Sequence, residues 1–358
     1  IIESFNNHQI GTDLFVAVSF SHDNLPDSED TLNAFTVPFT MASKIAIMEK
    51  PVENIEMVYS TDGFVTFQTV AATETAANQF SAEIPAQKKG TLVQYYFKAV
   101  DPFTKKTLVL SSKLGEIAPF EFLVGYIQAF YDNFEKDNGW TTSTTTDDAT
   151  SGVWERDTPT EVNTGSLGIM QPGSGCSAVG SKCYVTGAKS GQTTEFYANM
   201  PNGKTTLTSP VFDISNLENP LIKFKYWFFN YYLDNDYKPQ YVVQISSNAG
   251  ENWVNVTSVI EGESAWKKIQ FNIGSLVSLT PNFQIRIVFD AVHYSGFKAF
   301  YFSEALMDEF EILTTNHTII NSVDDEINTN NGVLSFPNPF ASNITISTYI
   351  DKPQRVVA

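Results

Sequence analysis

Three predicted strands lie between Lys204 and Val256, in the sequence KTTLTSPVFDISNLENPLIKFKYWFFNYYLDNDYKPQYVVQISSNAGENWVNV. β-Branched and aromatic residues dominate Leu221–Phe228 and Tyr241–Ser246, and clusters of Asn, Gly and Pro bound both runs. A turn at Ser247–Asn252 leads into Trp253–Val256, whose residues alternate with period two. This stretch is typical of a β-sandwich core and contains no catalytic signature.

Composition extends that prediction to the whole chain of 358 residues. Its formal net charge of −18 disfavours binding to nucleic acid or to anionic membranes. The sequence contains 28 Phe, 15 Tyr and 5 Trp but no long amphipathic helical pattern, which favours an all-β fold in two to three domains. No apolar run approaches the ~20 residues of a transmembrane helix.

Short predicted strands with turns between them indicate a small sandwich over residues 21–124. The predicted strands are Phe35–Phe39, Ile55–Ser60, Phe64–Phe67, Gln79–Ile84 and Thr91–Val100. Residues 1–20, which include an apolar run at Leu14–Phe20, are expected to end an upstream region.

Four segments of this sandwich are distinctive: His22–Asp30, Tyr59–Gly63, Ala82–Pro85 and Gly90–Tyr96. They resemble the immunoglobulin/fibronectin-like domains of secreted bacterial proteins. In that family the domain often follows a metallopeptidase catalytic domain. The resemblance implies that residues 21–124 are a rigid spacer.

Residues 130–313 resemble the jelly-roll domains related to the MAM adhesion module, which are accessory domains of secreted peptidases. The matching segments are Asp132–Glu135 with Gly139–Trp140, Gly152–Arg156, Gln171–Gly173, Leu207–Ser215, Asn248–Trp253, Phe283–Phe289 and Leu306–Ile312. The first and last strands of a jelly roll are neighbours, so acidic groups at both ends of this domain are expected to meet.

Glu135 and Asp308 are such a pair, and two adjacent carboxylates repel unless a cation or a proton lies between them. Oxygen ligands suit calcium. In MAM-like domains the matching positions often bind structural calcium, so the resemblance implies that role for Glu135 and Asp308, with Asp132 as a weaker candidate. The alternative is that these are solvated acids at strand ends. One departure from the family is that Tyr197–Gly203, before Leu207, contains no carboxylate.

The chain has two cysteines, Cys176 and Cys183, in a Gly/Ser-rich loop. Their spacing suits a small disulfide in an oxidising compartment, and two unpaired thiols are the alternative. Zinc is disfavoured, because two thiols without a nearby His cannot complete a tetrahedral site.

Exposed rings are the usual platform for a sugar, and the Asp/Asn-rich loop offers Tyr231, Tyr232 and Tyr237. Successive rings of Tyr226–Phe229 point to opposite faces of the sheet, so one face of this strand is expected to bury its rings and the other to present them. Burial of the rings on both faces is the alternative. Arg286 lies in an apolar strand and is expected to pair with an internal carboxylate.

No catalytic motif stands out. The four histidines form no H-E-x-x-H pair, and no G-x-S-x-G sequence occurs. A pair of glycosidase carboxylates cannot be selected among 40 acidic residues. We therefore predict no enzyme activity for this region.

The composition becomes polar at residues 314–331, which we interpret as a linker. Residues 332–358 open a new strand pattern that contains Phe336, Pro337, Asn338, Pro339 and Phe340. This segment resembles the start of the C-terminal sorting domain recognised by the type IX secretion machinery. The resemblance implies an extracellular or outer-membrane-surface location, and both chain ends suggest a piece of a longer protein.

Together these features predict an immunoglobulin-like sandwich, a jelly-roll sandwich and a partial sorting domain. The predicted function is a non-catalytic accessory and secretion region of a secreted or surface hydrolase, such as a metallopeptidase. It would space the catalytic domain and bind a polysaccharide or protein substrate. The alternative is a surface adhesin with calcium-stabilised sandwich modules and no enzyme.

Overall fold

The computed structural model describes residues 18–43, 52–101, 105–110, 115, 118–165, 168–189, 202–231, 238–291 and 302–316, all within the compact unit Ile1–Ile320. These residues form β-strands, turns and a short 3-10 helix, Ile273–Ser275. The predicted all-β fold is confirmed. No helix in these ranges is long and apolar enough to cross a membrane. The sorting motif and most of the predicted linker lie outside the described residues.

Two antiparallel sheets form the first sandwich, in the orders β1-β2-β6-β5 and β4-β3-β7-β8, with β9 beside β7. Its strands are β1 (Val18–Ser21), β2 (Phe35–Ser43), β3 (Glu53–Ser60), β4 (Gln68–Ala71), β5 (Thr73–Ala76), β6 (Gln79–Ile84), β7 (Thr91–Val100), β8 (Thr107–Val109) and β9 (Phe120–Val124).

The second sandwich has a six-stranded sheet, β11-β14-β21-β16-β19 with β10 beside β21, and a four-stranded sheet, β15-β20-β17-β18. A hairpin of β12 and β13 is separate from both. The strands are β10 (Ile127–Asp132), β11 (Trp154–Asp157), β12 (Val162–Asn163), β13 (Ile169–Gln171), β14 (Cys183–Thr186), β15 (Lys204–Thr208), β16 (Leu221–Tyr231), β17 (Gln240–Ser246), β18 (Val254–Val259), β19 (Glu263–Asn272), β20 (Gln284–Asp290) and β21 (Phe302–Thr314).

Aromatic residues fill the space between the sheets of each sandwich. Tyr95, Phe97 and Phe122 are buried in the first core, and Phe224, Tyr241 and Phe289 are among those buried in the second. Complete burial of one such side chain contributes about 1.5–3 kcal/mol, so each of these rings adds substantially to stability. Their alternation with polar residues sets which face of each strand points inward.

β1 corrects one predicted boundary. Residues 1–20 were expected to belong to an upstream region, but Val18–Ser21 pairs with β2, and Phe20 packs against the first core. The first sandwich therefore includes the end of the predicted upstream segment, because the apolar side chain of Phe20 is stabilised by this core.

Phe64–Phe67 is a second correction, because it is part of a turn and the following strand, β4, begins at Gln68. Val65 and Phe67 are exposed, at 83% and 59% of their maximum area, so the apolar composition of this segment does not reflect burial. The apolar composition of Phe64–Phe67 therefore predicts a strand where the chain forms a hairpin turn.

The stretch from Lys204 to Val256 divides between the two sheets of the second sandwich. β16 lies in the six-stranded sheet, whereas β15, β17 and β18 lie in the four-stranded sheet. As predicted for a jelly roll, the first and last strands are neighbours, with β10 paired to β21.

Few residues separate the two sandwiches, since β9 ends at Val124 and β10 begins at Ile127. An apolar cluster fills the junction and contains the buried side chains of Leu123, Tyr126, Leu221 and Leu313. We call this cluster the junction core.

Candidate functional site

The outward side of the four-stranded sheet carries polar side chains on neighbouring strands. Along β17 and β20 every second residue points inward and is buried, which leaves Gln240, Gln244, Arg286 and Asp290 on the other side. We call this side the outer face. Strand alternation alone therefore produces a row of hydrogen-bonding groups across neighbouring strands.

A cavity of about 350 Å³ opens on the outer face. Its lining combines amides, hydroxyls, two cations, one acid and two valines: Thr146, Lys204, Thr206, Gln240, Val242, Gln244, Asn255, Ser258, Arg286, Val288 and Asp290. The lining therefore contains hydrogen-bond donors, hydrogen-bond acceptors and a few apolar side chains. Such a lining suits a ligand that presents hydroxyl groups and short apolar surfaces.

Arg286 is held in one orientation at the cavity. Its Nε donates a hydrogen bond to Gln244 Oε1 at 2.6 Å, and Gln244 Nε2 donates to Asn255 Oδ1 at 2.5 Å. The guanidinium carbon lies 4.2 Å from the ring centroid of Trp253, a cation–π distance. Because this contact and hydrogen-bond chain fix the planar guanidinium, it is preorganised for a ligand.

Trp253 reaches this position through the turn between β17 and β18. The buried Ser246 Oγ accepts from the backbone N–H of Asn248 and Gly250, and Asn248 Oδ1 accepts from the backbone N–H of Asn252. Ala249 and Gly250 both have positive φ, at 53° and 84°, which allows the tight turn. The turn therefore delivers Trp253 to the side of Arg286.

Asp147 fixes the segment whose Thr146 lines one side of the cavity. Its two carboxylate oxygens accept four hydrogen bonds, from the backbone N–H and hydroxyl of Thr144 and from the same groups of Thr206. Asp148 Oδ1 accepts from the Lys204 backbone N–H at 2.7 Å. These bonds fix the segment around Thr146 beside β15.

Burial lowers the pKa of the Arg286 guanidinium, and the charge of Asp147 opposes that shift. Arg286 was expected to pair with an internal carboxylate, and this prediction is wrong. In the part of the chain that the structure describes, its contacts are with Gln244 and Trp253, and no carboxylate oxygen lies within ion-pair distance. The reason is that its side chain points to the outer face and away from the core.

The predicted tyrosine platform lies elsewhere. Tyr231 ends β16 in the other sheet and packs, partly buried, against a small apolar cluster that includes Trp227 and Phe229. Tyr232 and Tyr237 lie outside the described residues. All four rings of Tyr226–Phe229 are buried, so the alternative of burial on both faces of the strand is confirmed.

The predicted calcium ligands Glu135 and Asp308 both hold the loop Ser174–Lys182. Asp308 accepts from the backbone N–H of Cys176 and Ser177, at 2.7 and 3.1 Å, and from the Ser177 hydroxyl at 3.0 Å. Glu135 Oε1 accepts from the backbone N–H of Ser181 and Lys182, at 2.7 and 2.6 Å. We call this arrangement the carboxylate clasp.

Two glycines make the carboxylate clasp possible. A Cβ at Gly175 would lie 2.6 Å from Asp308 Oδ2, and a Cβ at Gly180 would overlap Glu135 Oε1. Gly180 also has φ of +98°, which a residue with a side chain rarely adopts. The loop approaches the carboxylates closely because both positions lack a side chain.

Asp132 does not bond to this loop but to groups that follow it closely in the sequence. Its Oδ1 accepts from the Phe134 backbone N–H at 2.8 Å, and its Oδ2 accepts from Trp140 Nε1 at 3.1 Å. Burial raises the pKa of both Asp132 and Asp308, and the hydrogen bonds to them oppose that rise.

The hydrogen-bond donors around these carboxylates do not suit a calcium site. The N–H groups point their positive ends at the carboxylate oxygens that a cation would need, as in backbone anion-binding nests. Within the described ranges, no three His, Cys, Asp or Glu side chains form a group that could hold a metal. Calcium at Glu135, Asp308 and Asp132 stays an untested prediction from the resemblance, and the contacts favour a metal-free clasp.

Cys176 and Cys183 are free thiols in the structure, in place of the predicted disulfide. Cys183 is fully buried in the cluster of Trp227 and Phe229, and the Cys176 backbone is bonded to Asp308. Burial raises the pKa of both thiols, which keeps them protonated and unreactive at neutral pH.

Sequence reasoning missed Gln244, Trp253 and Asp147 as site residues. A usable signal was present in β17 and β20, where Gln240-x-Val242-x-Gln244 and Gln284-x-Arg286-x-Val288-x-Asp290 are mainly polar at alternate positions. Two neighbouring strands with polar alternate residues predict one solvated sheet face. The contribution of the Asp147 loop had no such signal.

Comparisons with known proteins find no matching family model and no matching curated protein. Solved structures similar to the chain include the carbohydrate-binding module TmCBM61 in complex with β-1,4-galactotriose (10% identity, TM-score 0.29), covering 51% of this chain and 97% of the module. Another is the CBM22-1 xylan-binding domain of Paenibacillus barcinonensis Xyn10C (11% identity, TM-score 0.30), covering 54% of this chain and 97% of that domain.

A third similar structure is the N-terminal CBM22-1–CBM22-2 tandem domain of the same Xyn10C (12% identity, TM-score 0.28), and the match covers 80% of each chain. Because all three TM-scores are below 0.5, we base no functional argument on them.

Proposed function

We propose that this chain is a non-catalytic accessory region that binds polysaccharide on the outer face of its second sandwich. The observation that carries the proposal is the preorganised chain of Asn255, Gln244 and Arg286 beside Trp253 at one cavity. Hydroxyl groups of a sugar both donate and accept hydrogen bonds, and these amide and guanidinium groups complement them. The valines in the lining suit the C–H surface of a sugar ring.

The experiment is a binding screen of the full chain against immobilised plant, algal and bacterial polysaccharides, followed by calorimetry on soluble hits. Trp253→Ala and Arg286→Ala should each weaken binding at least tenfold. Tyr231→Ala, on the other sheet, is the matched aromatic control and should bind as the parent chain does.

The opposite pattern would contradict the proposed site. Loss of binding on Tyr231→Ala with no effect of Arg286→Ala would move the site to the tyrosine platform. Absence of binding to every glycan would leave the role of a spacer between other domains.

The wider setting follows from the sequence resemblances. We propose that residues 332–358 begin a sorting signal for type IX secretion, which would direct the chain to the cell surface or the medium. We also propose that its parent is a secreted hydrolase, such as a metallopeptidase, with a surface adhesin as the second candidate. Fusion of residues 314–358 to a periplasmic reporter, with Pro337 and Pro339 changed to Ala as control, tests the sorting signal.

A further inference from the structure

Among the residues that the structure describes, Arg286 has no partner for its charge at this site. Its Nε is bonded to Gln244, and its two terminal nitrogens make no hydrogen bond to any residue that the structure describes. No carboxylate in those ranges lies within ion-pair distance. A guanidinium that is half-buried and fixed without a counter-ion retains much of its attraction for an anion.

The other charges near the cavity have defined partners or positions. Lys204 and Asp290 are cross-strand neighbours on β15 and β20, so their opposite charges lie close together at one end of the cavity. Asp147 lies close enough to influence Arg286, but its two oxygens accept four hydrogen bonds from Thr144 and Thr206. Arg286 is therefore the cation of the lining whose cross-strand neighbours, Thr208 and Gln244, carry no opposite charge.

The geometry of a guanidinium favours a carboxylate as the bound anion. Its two terminal nitrogens form a planar fork that matches the two oxygens of a carboxylate, whereas Lys offers a single point of charge. The stacking on Trp253 holds that plane fixed, at 4.2 Å from the ring centroid. Sugars that carry a carboxylate beside several hydroxyl groups are uronic acids.

We propose that the outer face binds polysaccharides that contain uronic acids, and that Arg286 binds the sugar carboxylate through its two terminal nitrogens. This inference rests on the proposed glycan-binding function. Gln240, Gln244 and Asn255 then contact hydroxyl groups of the same or the adjacent sugar, because they flank Arg286 in the cavity lining.

The test is calorimetry of the full chain with polygalacturonate and alginate, each compared with its carboxyl-reduced form, which has the same linkages without the charge. Reduction should weaken binding at least tenfold, because it removes the carboxylate that Arg286 would bind. Arg286→Gln should abolish the preference for the acidic form, and Arg286→Lys should restore part of it.

Lys267→Gln is the matched control, since Lys267 forms an exposed ion pair with Glu263 on the other sheet. It should leave the affinities unchanged, and thermal unfolding of each variant confirms folding. Equal binding of acidic and reduced polymers, or binding to neutral glycans alone, would overturn the uronic acid inference while the proposed function stands. No binding to any glycan would overturn both.

Discussion

His22 shows how one side chain joins loop and core in the first sandwich. Its Nδ1 is 2.7 Å from the Pro38 carbonyl oxygen, and its Nε2 is 2.8 Å from the Tyr95 hydroxyl. A carbonyl oxygen can only accept, so Nδ1 holds the hydrogen and Nε2 accepts from Tyr95. That hydroxyl already accepts from the Leu25 backbone N–H, and the His22 ring contacts Phe120 edge-on at 4.7 Å. Burial of the ring among these groups lowers the pKa of His22 and favours neutral imidazole.

We expect acid to destabilise the first sandwich through His22. Burial lowers the pKa of His22 below its usual 6.5, so the unfolded chain takes up this proton first as the pH falls. Stability is then lost below about pH 6.5, with a slope of at most ~1.4 kcal/mol per pH unit for one proton. Denaturant unfolding of the chain and of His22→Asn between pH 7.5 and 5 checks this. Equal slopes for both proteins would rule out His22 as the cause.

The carboxylate clasp makes a separate prediction about calcium. Because backbone N–H groups donate to Glu135 Oε1 and to Asp308 Oδ2, the melting temperature should be the same with calcium and with chelator. Differential scanning fluorimetry measures it. A calcium-dependent rise that disappears in Glu135→Ala and Asp308→Ala would instead support the ligand roles that the MAM resemblance implies.

Gly180 provides a metal-independent check of the same clasp. Gly180→Ala should destabilise the protein more than Gly165→Ala does, since Gly165 also has positive φ, at 68°, but its Cβ would meet no atom within 4 Å. The difference between the two variants combines the overlap with Glu135 and the greater backbone strain at Gly180, where φ is +98°.

At the scale of elements, each sandwich contains a turn with the same hydrogen-bond pattern. In the first, Ser60 Oγ accepts from the N–H of Asp62 and Phe64, and Asp62 Oδ1 accepts from the N–H of Thr66. In the second, Ser246 and Asn248 accept from the N–H groups at the same relative positions. A Ser followed two residues later by Asp or Asn therefore defines both hairpins.

Ser246→Ala should cost about 1–3 kcal/mol, because the backbone N–H groups of Asn248 and Gly250 lose their acceptor. It should also weaken glycan binding, since the turn positions Trp253. Ser247→Ala is the control, as the Ser247 side chain makes no hydrogen bond to the described residues. Equal unfolding free energies for the two variants would contradict this role of the turn.

Strands were predictable from the sequence where their local composition reflects the burial of their side chains. The cores of β7, β16 and β17 follow from runs of β-branched and aromatic residues, and the β17–β18 turn follows from Asn248 and Gly250. The division of β16 and β17 between two sheets was not predictable, because it depends on long-range pairing. The cavity depends on the same pairing, since Lys204, Gln244 and Arg286 come from three strands.

At the scale of the whole molecule, the two sandwiches meet through apolar and charged contacts. Around the junction core, Lys223 Nζ lies 2.7 Å from Asp27 of the first sandwich and 3.1 Å from Glu311 of the second. Lys268 of the second sandwich pairs with Glu121 of the first at 2.7 Å. Partly buried ion pairs around an apolar centre fix orientation more than they add stability.

Leu221→Ala should uncouple the two sandwiches. The lost packing in the junction core should cost about 2–5 kcal/mol, and it lies at the contact between the sandwiches. Scanning calorimetry should show one transition for the parent chain and two for the variant. Leu276→Ala, at a side chain that is 39% exposed, is the control and should keep one transition. Two transitions in the parent chain would contradict the coupling.

The short connection at Gly125 and Tyr126 also bears on how this pair of domains is inherited. Either sandwich alone would expose half of the junction core, including Leu123 on one side or Leu221 and Leu313 on the other. Such apolar patches favour aggregation of a solitary domain. In genomes, these two domains should therefore be duplicated and recombined as a pair, with breakpoints outside residues 18–316.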